Sequence, residues 1–148
     1  SQASYFGHYT LFDAWRKTGM NEFIIDNFKI YRYLAQDRYR STWPEADAID
    51  RSCCHAWSNA ASYNLLRTIL GFEIGSPGCK VMKVTPYLEG LTFAKGGFVT
   101  PSGLLMLDYN ANKSKQFGLL VPEGVEAKFG FENFSEHFSS GFHRFGVS

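Results

Sequence analysis

The chain has 148 residues, 45% hydrophobic, 20% charged and 17% aromatic, with 15 Lys+Arg against 14 Asp+Glu for a net charge of +1. That is the length of one domain or of two small pieces, with a globular composition. The even charge balance, free of basic blocks, argues against nucleic-acid binding, and no apolar run approaches a membrane span, so a soluble chain is expected.

The first part of the chain has a helical period. Tyr5, Tyr9, Phe12 and Trp15 form one stripe that stops at the Gly19 turn signal, which predicts a helix over Ser4 to Thr18. Asn21 is placed to cap a second helix, in which Ile24, Phe28, Tyr31 and Ala35 share a face and Phe23, Ile30 and Leu34 add apolar surface elsewhere. A helix apolar nearly all round is expected to lie between neighbours. A third helix is predicted from Trp57 to Leu70, with Ala61, Leu65 and Ile69 on one stripe and Gly71 as its C′ residue.

Beyond Gly71 the pattern becomes short and alternating. Strands are predicted at Lys80 to Thr85, Leu91 to Lys95, Leu104 to Asn110, Gln116 to Val121, Val125 to Phe131 and Phe142 to Val147. Gly96-Gly97 and Pro101-Ser102-Gly103 read as hairpin turns, not as a phosphate loop, because no helix follows them. Helices followed by strands imply a segregated α+β chain, divided into residues 1–71 and an antiparallel β-sandwich over 72–148. The helical part is poor in partners for its apolar faces. The chain is therefore expected to be the C-terminal end of a larger protein, or to assemble with one.

Chemistry concentrates in the connection from Thr42 to Ser58, which holds Trp43, Glu45, Asp47, Asp50, Arg51, Cys53, Cys54, His55 and Trp57. A connection between helices needs only a few residues, and a long one filled with such side chains reads as a site. Carboxylates beside aromatic rings suit a sugar, whose apolar ring faces stack on the aromatics while its hydroxyls meet the charges. Each residue also has a plain structural reading: Glu45 as an acid near a helix start, Asp47 and Asp50 as solvated acids, with Arg51 paired to one of them. His55 reads as a satisfied polar residue, and Trp43 and Trp57 as core. Trp15 and Tyr63 lie on helical stripes and are expected in the core. Adjacent Cys53 and Cys54 cannot easily face one ion, and His8, His137 and His143 add no complementary pair, so no metal or other cofactor is expected. Buried free thiols are the expectation. The start Ser1-Gln2-Ala3-Ser4 carries no signal-peptide pattern and the cysteine spacing no disulfide framework. Periplasmic, secreted and cytoplasmic locations stay open.

The run Cys54-His55-Ala56-Trp57-Ser58, followed by a helix ending Leu66-Arg67-Thr68-Ile69-Leu70-Gly71, resembles the end of the catalytic domain of bacterial α-L-rhamnosidases, glycoside hydrolase family 78. Pro77-Gly78, Val84-Thr85-Pro86, Leu91 to Gly96, Val99 to Gly103, Pro122-Glu123-Gly124 and Ser140 to His143 resemble the linker and strands of that family's C-terminal β-sandwich. The resemblance implies the last helices of an (α/α)6 barrel followed by the sandwich, and inverting hydrolysis of terminal α-L-rhamnosides or polysaccharides carrying them. It implies that Glu45, in Thr42-Trp43-Pro44-Glu45, is the general base, with Asp47 as the fallback acid. Pro44 separates Trp43 from Glu45 where the family commonly has an adjacent Trp-Glu pair. His55, Trp43 and Trp57 are then substrate-binding. The general acid is expected upstream of this chain, which alone would be inactive, with the upstream part of the enzyme as its partner. The alternative is a non-catalytic carbohydrate-binding or structural β-sandwich module docked on a helical partner. In it, Phe129, Phe131, Phe134, Phe138, Phe142 and Phe145 supply either binding surface or, by their alternation, sandwich core.

Overall fold

The computed structural model describes residues 4–36, 42–46, 51–111 and 114–147. It divides into two compact units, residues 1–65 and 66–148. The division falls inside the third helix, a few residues before the expected boundary at 71.

In the first unit, α1 (Tyr5–Lys17) starts where Ser4 accepts a hydrogen bond from the Gly7 amide at 3.1 Å. It ends in a Schellman motif: the Gly19 amide donates to Arg16 O and the Met20 amide to Trp15 O, with Gly19 at φ 76°. Helix α2 (Asn21–Gln36) begins at Asn21 itself. Asn21 was expected as the cap, but its side-chain oxygen is buried and, among the described residues, without a hydrogen-bond partner. Tyr5, Phe12, Ile24, Tyr31 and Ala61 form the core, with Trp15, Phe28, Ile30 and Trp43 packed against it. The inner stripe of α1 runs Tyr5, His8, Phe12, while Tyr9 is exposed. The side chains of Leu34 and Ala35 lie outside the described residues.

A 3₁₀ turn (Ala56–Asn59) leads into α3 (Ala60–Ile69). Its buried positions are Ala60, Ala61, Asn64 and Thr68, whereas Leu65 and Tyr63 are exposed, so Tyr63 is not the core residue expected. Buried Asn64 donates its side-chain Nδ2–H to Ala60 O one turn back, at 2.9 Å, while its Oδ1 has no hydrogen-bond partner among the described residues.

In the second unit β1 (Phe72–Ile74), β2 (Val81–Val84), β6 (Glu126–Phe131) and β7 (Phe134–Phe138) form one four-stranded sheet in the order β1-β2-β6-β7. The strands β3 (Phe93–Thr100), β4 (Gly103–Asn110), β5 (Lys115–Val121) and β8 (Gly141–Val147) form the other, in the order β3-β4-β5-β8. All described pairings are antiparallel except β2 with β6. Alternate residues of both sheets, among them Met82, Val84, Ala127 and Phe129 from one and Leu105, Leu107, Phe117 and Leu119 from the other, share one core. The segregated α+β fold with a β-sandwich is therefore as expected from the sequence.

Strand β3 runs through Gly96-Gly97, the expected hairpin turn. A Cβ on Gly96 would stand 2.5 Å from a Leu70 methyl, and one on Gly97 would stand 3.1 Å from Leu105 O. These glycines mark close approach within a strand. The short strands β1 and β7 carry too little alternation to announce themselves. No described helix is long and apolar enough to cross a membrane.

Candidate functional site

The connection before α3 folds back on itself. The Glu45 amide donates to Ser52 O at 2.8 Å and the His55 amide to Trp43 O at 2.9 Å, so 42–46 runs beside 51–55. Buried Ser58 ties the turn down by donating its hydroxyl to Pro44 O at 2.6 Å. Proline offers that carbonyl but no amide, so Pro44 accepts the anchor without needing a partner of its own.

This folding brings Glu45, Arg51, His55 and Trp57 together. The Glu45 side chain is 17% exposed. Its Oε1 accepts a hydrogen bond from an Arg51 Nη, and its Oε2 lies 3.9 Å from His55 Nδ1. The arginine is expected from sequence to pair with Asp47 or Asp50, which lie outside the described residues; among the described residues it pairs with Glu45. The His55 ring centroid is 3.9 Å from that of Trp57, with the planes inclined by 42°. Trp57 meets Phe6 of α1 edge-to-face at 5.5 Å, and the two are 42% and 58% exposed. Phe6 was missed. Its signal was an aromatic residue off the apolar stripe of its helix, where a polar side chain would be ordinary.

Trp43 faces the other way. Its ring stands edge-to-face with Tyr31 at 5.5 Å, against the core, and its Nε1–H donates to Asn59 Oδ1 at 3.0 Å. Asp47 and Asp50 lie outside the described residues. Cys53 and Cys54 are exposed free thiols and only Cys79 is buried, so the expectation of buried thiols fails for the adjacent pair. Among the described residues no group of three or more His, Cys, Asp or Glu gathers as a metal site requires. His137 pairs with Glu126 at 2.7 Å, and His143 lies 2.8 Å from Ser139 O.

The cluster thus presents a carboxylate with one oxygen held by a guanidinium, an imidazole against an indole, and a second exposed ring beyond it. Such a set can accept a proton or bind hydroxyls, and it can stack the apolar face of a ring.

No protein-family model and no curated protein matches the chain. Solved structures do. The native α-L-rhamnosidase of Aspergillus terreus matches 66% of this chain with a TM-score of 0.58 and 21% identity. The Streptomyces avermitilis α-L-rhamnosidase, solved with L-rhamnose, matches 66% with a TM-score of 0.55 and 18% identity. The chain spans 12% of the length of each of these enzymes. The former is fungal, so the likeness is not confined to bacterial proteins. At these identities the common ground is the fold alone, over about two thirds of this chain.

Proposed function

We propose that this chain is the C-terminal portion of an inverting glycoside hydrolase of family 78, one that releases terminal α-L-rhamnose from glycosides or polysaccharides. The observation that carries the reading is the convergence of Glu45, His55 and Trp57 in one folded-back connection, beside the exposed ring of Phe6. The fold likeness to two α-L-rhamnosidases supports the choice of sugar. In this proposal residues 1–71 are the last helices of an (α/α)6 barrel. The upstream part of the same enzyme supplies the rest, including the general acid.

Inversion needs two carboxyls about 6.5–9.5 Å apart, one to protonate the leaving oxygen and one to deprotonate the attacking water. Glu45 is the second. Arg51 holds Oε1, which turns Oε2 toward His55 and the reacting side. The water gives its proton to Oε2 as its oxygen bonds to the anomeric carbon. His55 hydrogen-bonds a rhamnose hydroxyl while Trp57 covers the sugar's apolar face. Trp43, bonded to Asn59, keeps the connection on its core.

The test is hydrolysis of p-nitrophenyl α-L-rhamnoside by the chain joined to its upstream part. Glu45→Gln keeps the shape and removes the base, so kcat is expected to fall about 10²- to 10⁴-fold with KM little changed. Undiminished turnover would remove Glu45 from the mechanism. It would favour a second reading, the non-catalytic carbohydrate-binding or structural module, which the Arg51 pairing supports because a guanidinium on the carboxylate also suits a purely structural ion pair.

A further inference from the structure

The outer face of the β3-β4-β5-β8 sheet carries a cleft. Lys95, Asp108, Gly118 and Arg144 face one another in a row across the strands, and the next row pairs Asn110 with Gln116. On the other side of the charged row, Phe142 stands opposite Leu120 and is 62% exposed. Gly118 leaves the middle of the row without a side chain. A Cβ there would stand 3.4 Å from the Phe142 ring and 3.7 Å from the Asp108 Cβ. The result is a cavity of about 480 Å³ lined by Asp108, Asn110, Gln116, Gly118, Phe142 and Arg144. Arg144 lies 5.8 Å from the Phe142 ring centroid, and Asp108 is bridged to Lys95 at 3.2 Å.

We propose that this cleft is a binding site for a neutral oligosaccharide, separate from the Glu45 cluster. The volume lies in the range of small-ligand sites, and too little of the face is apolar for a lipid. Donors of Arg144, Asn110 and Gln116 and acceptors of Asp108, Asn110 and Gln116 surround an exposed aromatic ring. That mixture answers a polyol whose ring has one apolar face. Opposite charges alternate along the row, and Asp108 already has its cation, so the lining does not select a strongly charged ligand. An exposed phenylalanine leaning over a mid-strand glycine adds little to the core; a ligand gives it a use. That the sugar is rhamnose rests on the proposed function.

The experiment is a ¹H–¹⁵N titration of the whole chain with rhamnobiose, and separately with cellobiose, in wild type, Phe142→Ala and Gly118→Val. The expected result is saturable shifts at the amides of Gly118, Asn110 and Arg144, with Kd raised about tenfold or more in both variants and their other resonances unmoved. Cellobiose binding that depends on Phe142, without rhamnobiose binding, keeps the cleft as a glycan site and rejects only its rhamnose specificity. Neither saccharide shifting these amides, or an unchanged Kd in both variants, overturns the proposal. Shifts at His55 and Trp57 report the Glu45 cluster separately, so failure of one site is not read as failure of the other.

Discussion

His8 is buried against the ring of Phe12, parallel to it at 5.3 Å, and its Nδ1 lies 3.1 Å from the Tyr31 hydroxyl. Burial disfavours the charged form of each, which holds the His8 pKa below 6.5 and raises that of Tyr31 to about 12. The unfolded chain therefore binds the His8 proton more readily. Stability of the helical unit is expected to fall as pH drops below 6.5 toward the folded His8 value, and to fall again as pH rises above 10, where unfolded Tyr31 ionises first. Amide exchange of α1 and α2 at pH 7.5 and 5.5 checks the acid side. A His8→Phe variant with the same acid loss as wild type would clear His8 of responsibility. An apolar stripe reading picks Tyr9 and passes over His8, since a histidine counts as polar until its partner is known, and Tyr31 is far away in sequence. The motif around them singles out Glu45 and His55 as candidates, and the structure sets the two side chains 3.9 Å apart. The pairing of Arg51 with Glu45 was not legible, because the fold-back that brings them together is made by backbone hydrogen bonds, Glu45 to Ser52 and His55 to Trp43, that no side-chain pattern announces.

Two helix ends separate what a glycine does for conformation from what it does for space. Gly19 after α1 and Gly71 after α3 both have positive φ, 76° and 69°. A Cβ on Gly19 meets nothing within 4 Å, whereas on Gly71 it would stand 2.1 Å from the Thr85 carbonyl carbon, where the Thr85 amide donates to Gly71 O at 3.0 Å. Gly19→Ala should therefore cost only the left-handed strain, about 1–2 kcal/mol. Gly71→Ala adds a backbone clash in the pairing that seats β1 and should cost about 2–5 kcal/mol in total. Urea unfolding of each variant measures both, and equal losses would show that the Thr85 contact is dispensable. Both glycines read correctly as helix stops from sequence, because the stop is local. Their different surroundings are not legible, since Thr85 returns to Gly71 only through the β1–β2 pairing. Gly96-Gly97 went wrong for the same reason: a glycine pair signals a turn unless something packs where its side chains would be, and Leu70 and Leu105 do so here.

For the molecule as a whole, alternation exposed the layered order of helices and strands, since burial on one face of a sheet is written directly into every second residue. It could not tell which face each phenylalanine takes. Phe117, Phe129, Phe134, Phe138 and Phe145 join one network of ring contacts inside the sandwich, and Phe131 contacts Phe117 within it. Phe142 starts the β8 alternation on the opposite face, out of that network. The two faces make opposite demands on stability. Phe117 is 1% exposed, with four aromatic neighbours in Tyr109, Phe129, Phe131 and Phe145, so Phe117→Ala leaves a cavity that those rings cannot fill and should cost about 3–5 kcal/mol. Phe142 is 62% exposed, beside Gly118, Arg144 and Leu120 on its own face, so Phe142→Ala should change stability by no more than about 0.5 kcal/mol. Amide exchange at Leu107 and Leu119, central in the sandwich, reads both variants on one scale. A large loss from Phe142→Ala would make that ring part of the scaffold. A negligible loss, beside the expected loss of saccharide affinity, separates its role in binding from the fold that carries it.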